Sequence, residues 1–341
     1  MMADGRYEIA ARLFAVRNGA VLKELNADEM KVTCSAEAEM KRSFSCRIRY
    51  DAEVDLLTDR LRPVQVIDGR EYPLGEFLAA TVSMTEQNGC RGWEAECYDQ
   101  TLLLRQTTAA GALCFAAGTP YLSAVRSLLA ECGITRVVAE PCPLTLSADR
   151  EDWEPGTSYL SIANELLAAV NYEGIWFDSA GAARLGRARA ASAGNVSHSY
   201  RAGEYSLLCE GITRESDAYE AYNVFTAVYS LPDAAPMTAV SVNDSPLSPV
   251  STVRRGRKIC APVQFVEDIA SREELQAFAD RLRAESLLAS ETAEFETAPF
   301  PTHETGEIVA LEGAIYRETG WTLRLGFGGS YLHRARRAIL I

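Results

Sequence analysis

The sequence has few of the residues on which catalytic and metal sites usually depend. It contains three histidines, His198, His303 and His333, which lie far apart along the chain. Its nine cysteines form no CxxC pair, and their number is odd. We therefore expect no disulfide framework and no metal site, and we interpret the cysteines as buried, reduced thiols that pack like small hydrophobic residues.

Long apolar runs are also missing. No stretch approaches the roughly 20 apolar residues that a membrane-spanning helix needs. The first residues carry Asp4, Arg6 and Glu8 where a signal peptide would have its apolar core. The sequence thus predicts no membrane segment and synthesis in a cytoplasm without export.

Basic residues are outnumbered by acidic ones. The 341 residues include 34 Lys and Arg against 47 Asp and Glu, which gives a formal net charge of −13. Proteins that hold nucleic acid neutralise its phosphates with Lys and Arg, so this balance argues against stable nucleic-acid binding. The basic cluster at 253–258 has no interleaved aromatic residues, and we interpret it as a solvated turn or a salt-bridging interface element.

Motifs of the common enzyme classes are absent. We find no GxSxG, no HExxH, no phosphate loop with its lysine and no GxGxxG after a strand. The glycine-rich stretch 326–329 is typical of a tight turn. We therefore predict that the protein is not an enzyme and has no catalytic, cofactor-binding or metal-binding residues.

One acidic set leaves an alternative open. Glu94 and Glu96 share one face of a predicted strand and Asp99 follows closely, an arrangement that could serve a glycosidase. The residues between them are apolar, however, and this alternation is typical of a strand with a polar outer face. We favour the structural interpretation.

Turn signals and periodicity divide the chain into regions. Residues 1–105 are rich in strand patterns and contain the hairpin signals Asn18-Gly19, Asp68-Gly69 and Asn88-Gly89, which predict an antiparallel first β domain. Residues 106–190 carry two related helix patterns, and we interpret this region as a small α+β domain.

The two helix patterns open in similar ways. In the first, Thr119 is expected to cap the helix ahead of Pro120 in its first turn, and Gly133 to end it. In the second, an apolar stripe follows residues 156–161 at helical spacing.

The last region returns to strand patterns. We predict that 191–268 and 291–341 form a second β domain, with 231–256 as a long exposed loop. Residues 269–290 are predicted to form an inserted helix, because Ser271 and Glu274 make a capping box ahead of an apolar stripe. The predicted fold class is therefore α+β and β-rich, with two antiparallel β domains around a small α+β domain.

Several segments, taken in order, resemble the baseplate hub family of phage tails, including the hub region of tail-associated proteins. They are 93–103, 118–121, 156–160, 171–181, 217–223, 256–257, 271–275, 300–301 and 304–311. Family members often have aspartate at the position of Glu307.

The resemblance implies a homotrimer in which two tube-like β domains per subunit form a pseudo-sixfold ring. This ring would join a hexameric tail tube to a threefold spike or tip, and would let DNA pass. The implied partners are the tail tube or distal tail protein, the spike or tail-tip protein and the tape measure protein. The implied location is the virion tail, after synthesis in the host bacterium.

Two other functions stay open at this point. The first is a hub in a bacterial contractile injection machine, which is the same physical object in another particle. The second is a tail-associated hydrolase of cell-wall glycan that uses acidic pairs such as Glu94 and Glu96.

Overall fold

The computed structural model describes most of the chain. The described ranges are 8–87, 90–111, 113–150, 153–187, 191–203, 206–216, 221–230, 236–266, 269, 271–286, 291–300, 303–304, 306–326 and 328–338. The strands are β1 Ile9–Arg17, β2 Ala20–Leu25, β3 Ala27–Ser35, β4 Arg42–Arg49, β5 Arg60–Ile67, β6 Arg70–Pro73, β7 Leu78–Gln87, β8 Cys90–Tyr98, β9 Val137–Ala139, β10 Trp176–Phe177, β11 Ala183–Leu185, β12 Val196–Tyr200, β13 Leu208–Glu215, β14 Val224–Tyr229, β15 Met237–Val242, β16 Gln264–Val266, β17 Thr292–Thr297, β18 Ile308–Leu311, β19 Ala314–Arg324 and β20 Tyr331–Arg337. The α-helices are α1 Thr101–Gln106, α2 Tyr121–Glu131, α3 Tyr159–Ala168, α4 Thr252–Arg255 and α5 Arg272–Ser286.

Two of the predicted hairpin turns are present. Asn18 and Gly19 both have positive φ, at 53° and 79°, and Asp68 and Gly69 do the same at 49° and 74°. This is the type I′ geometry whose twist matches that of the flanking strands. The Asn88-Gly89 signal lies outside the described residues, although β7 and β8 pair antiparallel on either side of it.

The helices of the middle region confirm the predicted periodicity and correct one cap. Pro120 itself occupies the position before α2, and no side chain caps this helix, so the prediction for Thr119 is wrong. Backbone oxygens serve the first turn instead, since the Tyr121 N–H donates to the Leu144 carbonyl at 3.3 Å and the Ser123 N–H to the Pro120 carbonyl at 2.9 Å. Gly133 follows α2 with φ 74° as predicted, and Ser158 caps α3 by accepting from the Ser161 N–H.

The last region differs from its prediction between 231 and 256. Among the described residues, this stretch contains strand β15 and helical turn α4 instead of one long loop. β15 pairs with β14, which also pairs with β16, and α5 packs on this small sheet. This strand is hard to recognise in the sequence, because it is a short alternating segment flanked by prolines and small polar residues. The inserted helix is confirmed as α5, whose Ser271 hydroxyl accepts from the Glu274 N–H at 3.1 Å.

The two β-rich regions share one sheet of ten strands. Its main path runs β13-β17-β20-β19-β3-β4-β8-β7, so β19 of the last region pairs antiparallel with β3 of the first. The apolar cores merge at the same place, because Trp321, Leu323 and Tyr331 pack among the core residues of the first region, such as Phe44 and Ile48. The β-rich α+β class is thus confirmed, while the predicted division into domains stays a prediction.

This sheet contains the same four-strand arrangement twice. We call β3, β4, β7 and β8 the N-terminal unit, and β13, β17, β19 and β20 the C-terminal unit. Numbered in chain order, the strands of each unit lie in the order first, second, fourth, third, and every neighbouring pair is antiparallel. The third strand of the C-terminal unit pairs with the first strand of the N-terminal unit, so the units are joined head to tail.

Corresponding bulges confirm that the units match in register. Between the third and fourth strands, the register shifts between Ala79 and Thr81 in one unit and between Glu318 and Gly320 in the other. A bulge inserts an extra residue at a fixed point of a strand pair. Aligning the two bulges makes Thr81 equivalent to Gly320.

The first and second strands are irregular at the corresponding place as well. The register shifts between Asp28 and Lys31 in the N-terminal unit, by one extra residue, and between Leu208 and Ile212 in the C-terminal unit, by two. Aligning the bulges above makes Ser45 equivalent to Glu294 in the second strands. Their partners in the first strands, Lys31 and Thr213, are therefore equivalent too. The two units are therefore one structural motif used twice.

The cysteines correct a further expectation. Cys34, Cys46 and Cys97 are buried as predicted, and all nine are free thiols. Four others are exposed, namely Cys90, Cys114, Cys209 and Cys260. Alternation on a strand indicates which residues share a face, but not whether that face is covered. No helix in the described part of the chain is long and apolar enough to cross a membrane.

Candidate functional site: sheet edges and a buried histidine cluster

The joint between the two units is a close antiparallel pairing of β19 with β3. Thr322 lies opposite Thr33, and their hydroxyl oxygens are 3.4 Å apart. Gly320 lies opposite Ser35 at the start of the joint. The joint thus has a defined register along five residue pairs.

The outer strands of the two units form the edges of the sheet. In the described residues, the sheet path ends at β7 on one side and at β13 on the other. Leu323 of β19 is fully buried beneath the joint, whereas Met84, its equivalent on β7, is 58% exposed. The edge strand β7 therefore has the position in its unit that β19 has in the other unit. In the described part of the chain, however, no strand of this sheet pairs with its outer side as β3 pairs with β19.

All three histidines of the sequence meet in one cluster, which we call the histidine cluster. His198 lies on β12, His303 lies between β17 and β18, and His333 lies on β20. The Nε2 of His198 and the Nδ1 of His303 each lie 3.4 Å from the Oε2 of Glu307. The rings of His198 and His303 are 4.2 Å apart between centroids.

Glu318 forms the deeper side of the histidine cluster. Its Oε2 lies 3.0 Å from the Nδ1 of His303, and its Oε1 lies 2.5 Å from the Nδ1 of His333. The outer nitrogens are also engaged, because the Nε2 of His303 is 2.6 Å from the Tyr200 hydroxyl and the Nε2 of His333 is 2.9 Å from the Thr297 hydroxyl.

Burial and charge act in opposite directions on these groups. Burial disfavours the charged form of His303, but Glu318 and Glu307 outweigh it and raise the pKa of His303 to about 9. Burial likewise opposes ionisation of Glu307, yet the two imidazoles lower its pKa to about 2. The pKa of His333 is lowered, chiefly by burial. The histidine cluster is therefore a charged network within the second β region.

The segment that carries His303 also connects the three regions of the chain. Glu304 accepts a hydrogen bond from the guanidinium of Arg42 on β4 at 2.5 Å, and another from the N–H of Ser179 at 3.0 Å. Arg42 is only 1% exposed and also donates to the Leu74 carbonyl. A short stretch of the last region thus holds a side chain of the first region and the backbone of the middle region.

The acidic set considered from the sequence does not form a catalytic arrangement. Glu94 and Glu96 are exposed on the outer face of β8, and Glu94 is ion-paired with Arg47 at 3.2 Å. A glycosidase acid needs an apolar surrounding that keeps its proton, which an exposed, salt-bridged carboxylate lacks. Asp99 is buried just after β8, where it accepts from the Thr101 N–H at 3.0 Å.

The other two segments singled out from the sequence are local structures. The basic cluster belongs to α4 and its end, where Ser251 caps the helix and Gly256 closes it with φ 64°. The stretch 326–329 is a turn in its described residues, with the Gly329 N–H donating to the Gly326 carbonyl at 3.0 Å.

Sequence reasoning missed the histidine cluster because its members come from separate segments. Only the pair His303 and Glu307 is close in sequence, four residues apart. This spacing is a weak signal outside a helix. The prediction of no metal-binding residues stays a prediction.

The fold is shared with solved structures. A tail protein from Neisseria meningitidis has 17% sequence identity and a TM-score of 0.69, and the match covers 96% of both chains. A tail protein of prophage MuSo2 from Shewanella oneidensis has 14% identity and a TM-score of 0.67, and the match covers 96% of this chain and 98% of the other.

A more distant neighbour comes from a secretion machine. It is a component of the E. coli type VI secretion system described as structurally similar to the bacteriophage T4 tail proteins gp27 and gp5, with 10% identity and a TM-score of 0.53 over 98% of this chain and 77% of that one. No protein-family model matches the sequence. No curated protein matches it either. The chain thus has the fold of these phage and prophage tail proteins.

Proposed function

We propose that this protein is the structural hub of a phage or prophage tail and assembles as a homotrimeric ring. The observation that carries the proposal is the repeated four-strand unit, joined head to tail within one chain. Each copy supplies two equivalent units, so a ring of three copies presents a pseudo-sixfold face on threefold symmetry. Such a ring adapts a hexameric tail tube to a threefold spike or tip.

The sheet edges indicate how copies would join. Within the chain, β19 of the C-terminal unit pairs with β3 of the N-terminal unit. The equivalent contact between copies would pair β7 of one copy with β13 of the next. Head-to-tail contacts close into a ring when the rotation per unit allows it, and closure covers edges that otherwise invite aggregation.

The aligned bulges fix the register of this contact. Ser83 is equivalent to Thr322, and Glu215 is equivalent to Thr33, the pair whose hydroxyls meet across the internal joint. Ser83 of one copy is therefore expected opposite Glu215 of the next. Met84, next along β7, is expected opposite Arg214.

The charge of the chain suits a conduit for nucleic acid. With a net charge of −13 on each chain, the ring would repel DNA phosphates, so that the genome could pass without sticking. The proposed partners are the tail tube or distal tail protein, the spike or tail-tip protein and the tape measure protein. The proposed location is the virion tail, after synthesis in the host bacterium.

Disulfide trapping tests the proposed contact. In the full chain, the exposed Cys90, Cys114, Cys209 and Cys260 are replaced by serine, and Ser83→Cys is combined with Glu215→Cys. Opposed residues of antiparallel strands lie within the Cα separation that a disulfide tolerates. We expect mild oxidation to give covalent dimers and trimers, and no larger species, because a closed ring has no free edge.

The chain supplies matched controls. Thr33→Cys with Thr322→Cys should form an intrachain disulfide, since these residues already face each other. Ser83→Cys with Arg214→Cys should not trap copies, because adjacent strand residues point to opposite faces. If only the intrachain control forms at high protein concentration, or if images of the purified protein show no threefold ring, the proposal is wrong.

A hub of a contractile injection machine is the second candidate. The likeness to the type VI secretion component favours it. The two candidates share the ring and its contacts, so the trapping experiment serves both. Images of the native particle, or the identity of neighbouring genes, distinguish them.

A further inference from the structure

We propose that His198, His303 and Glu307 bind a divalent transition-metal ion such as Zn²⁺. The ligand atoms of the first three all lie within 4.8 Å of one another. This inference is independent of the proposed hub function, because it concerns the inside of a single subunit.

The distances between the donor atoms suit a tetrahedral ion. Zinc binds histidine nitrogen and carboxylate oxygen at about 2.0–2.2 Å, which places neighbouring ligands of a tetrahedron about 3.3–3.6 Å apart. The Oε2 of Glu307 lies 3.4 Å from a nitrogen of both His198 and His303. The Oε2 of Glu318 lies 3.0 Å from the same nitrogen of His303. Two of the three distances among the proposed ligand atoms thus already match the separation of neighbouring ligands in a tetrahedron.

Glu307 supplies a second, independent observation. Its side chain is 9% exposed, and its Oε2 makes no hydrogen bond in the described part of the chain despite its contacts with both imidazoles. A buried carboxylate oxygen without a hydrogen bond is costly. A metal ion between the imidazoles and this oxygen would satisfy it.

The residues around the donors are arranged as supports. The Nε2 of His303 faces the Tyr200 hydroxyl, so its Nδ1, which faces Glu307 and Glu318, is the nitrogen that would bind the ion. His333 holds the other oxygen of Glu318 and is itself held by Thr297. Hydrogen bonds of this kind fix the orientation of metal ligands and raise their affinity.

The donor chemistry selects the class of ion. Two imidazoles and a carboxylate suit zinc or a similar first-row metal, whereas Ca²⁺ and Mg²⁺ prefer oxygen donors alone. Glu307 and the neighbouring Glu318 would together balance the double positive charge of the ion. His198 is partly exposed, with 17% of its side chain accessible, and therefore gives an entry path from solvent.

The ion would have a structural role at a branch of the sheet. β19 pairs with β18 near its start and with β3 near its end, and Glu318 lies where its neighbour changes. Glu307 directly precedes β18. A metal ion would therefore tie β12 and β18 to β19 beside the joint between the two units.

Cobalt titration of the full, metal-stripped chain tests the site. Accessible thiols are first blocked with iodoacetamide, because exposed cysteines also bind metals. We expect one equivalent of Co²⁺ to give the visible absorption of a tetrahedral site, with no thiolate charge-transfer band, and Zn²⁺ to displace it. We also expect Zn²⁺ to raise the melting temperature of the wild-type protein.

Substitutions assign the binding to these residues. Glu307→Gln removes the charged oxygen and should weaken binding at least about 10-fold. Glu294→Gln, on the exposed face of β17, should leave binding unchanged. His198→Gln at the rim provides a second ligand variant if Glu307→Gln fails to fold. Binding that is absent in the wild type, or equal in wild type and the ligand variants, would overturn the proposal.

Discussion

A β carbon on Gly320 would lie 2.9 Å from the backbone oxygen of Cys34 across the joint of β19 and β3. This is closer than a carbon and a carbonyl oxygen normally approach, so the two strands can pair here only because position 320 is glycine. The joint between the repeated units thus depends on the absence of one side chain.

We therefore expect Gly320→Ala to destabilise the protein. The added methyl group must push the strands apart, which we expect to lower the free energy of unfolding by about 1–3 kcal/mol. Chemical denaturation measures this change. Gly203→Ala is the matched control, because an added β carbon there meets no atom within 4 Å, and it should change stability by less than about 0.5 kcal/mol. Equal stability of the two variants would contradict the expectation.

The sequence predicted the elements better than their association. Turns such as Asn18-Gly19 and Asp68-Gly69 depend on two adjacent residues. Their left-handed backbone favours Asn, Asp and Gly over other residue types. The cap that Ser271 provides is local in the same way. Signals of this kind depend on a few neighbouring residues, so they can be recognised without the tertiary structure.

The joint and the histidine cluster could not be predicted in this way. β3 and β19 are separated by most of the chain, and nothing in either strand specifies its partner. His198, His303 and His333 likewise become neighbours only after β12, β18, β19 and β20 have paired. The repeat was hidden as well, because residues at equivalent positions, such as Thr33 and Glu215, share geometry more than chemistry.

The buried pair of Arg42 and Glu304 leads to a second prediction. Arg42→Met keeps much of the side-chain volume but removes the partner of Glu304 and a donor to the Leu74 carbonyl. Removing one partner of a buried ion pair is strongly destabilising, because the other charge is left unpaired. We therefore expect the free energy of unfolding to fall by about 3 kcal/mol. Arg91→Met is the control, since the pair of Arg91 with Glu86 is exposed and should contribute under about 1 kcal/mol. Similar losses in both variants would show that burial of Arg42 is unimportant.

Asp99 predicts a pH dependence of stability. Burial raises its pKa from 3.8 to about 6, although hydrogen bonds from Thr101 partly oppose the shift. The folded state therefore binds this proton more tightly than the unfolded state between about pH 4 and pH 6. Over this range the contribution of Asp99 to stability falls as the pH rises, and above it the full penalty, on the order of 2–3 kcal/mol, is present.

Asp99→Asn isolates that contribution. We expect the variant to gain stability relative to the wild type as the pH rises from about 4 to 6, and the difference to be constant above that range. Urea denaturation at several pH values measures the difference. Thr81→Ser, at an exposed position of β7 without a titratable group, should show no such trend. A pH-independent difference between Asp99→Asn and wild type would mean that Asp99 is ionised throughout.

Charge changes at the edge strands test the proposed ring without covalent trapping. Met84 is exposed in the single chain but is expected opposite Arg214 of the next copy, as Leu323 is opposite Val32 in the internal joint. Met84→Lys should leave the melting temperature of the subunit nearly unchanged, yet weaken self-association, because like charges directly opposite on paired strands repel.

The partner strand allows this prediction to be reversed. Met84→Glu places an opposite charge across from Arg214 and should preserve association, which light scattering over a concentration series would show. Combining Met84→Lys with Arg214→Glu should restore what Met84→Lys alone loses. Recovery in the double variant requires that β7 and β13 meet in the register of the internal joint, since a shift of one residue would place the two side chains on opposite faces. If Met84→Lys and Met84→Glu weaken association equally, or if the double variant shows no recovery, then copies of the chain do not join through these two edges.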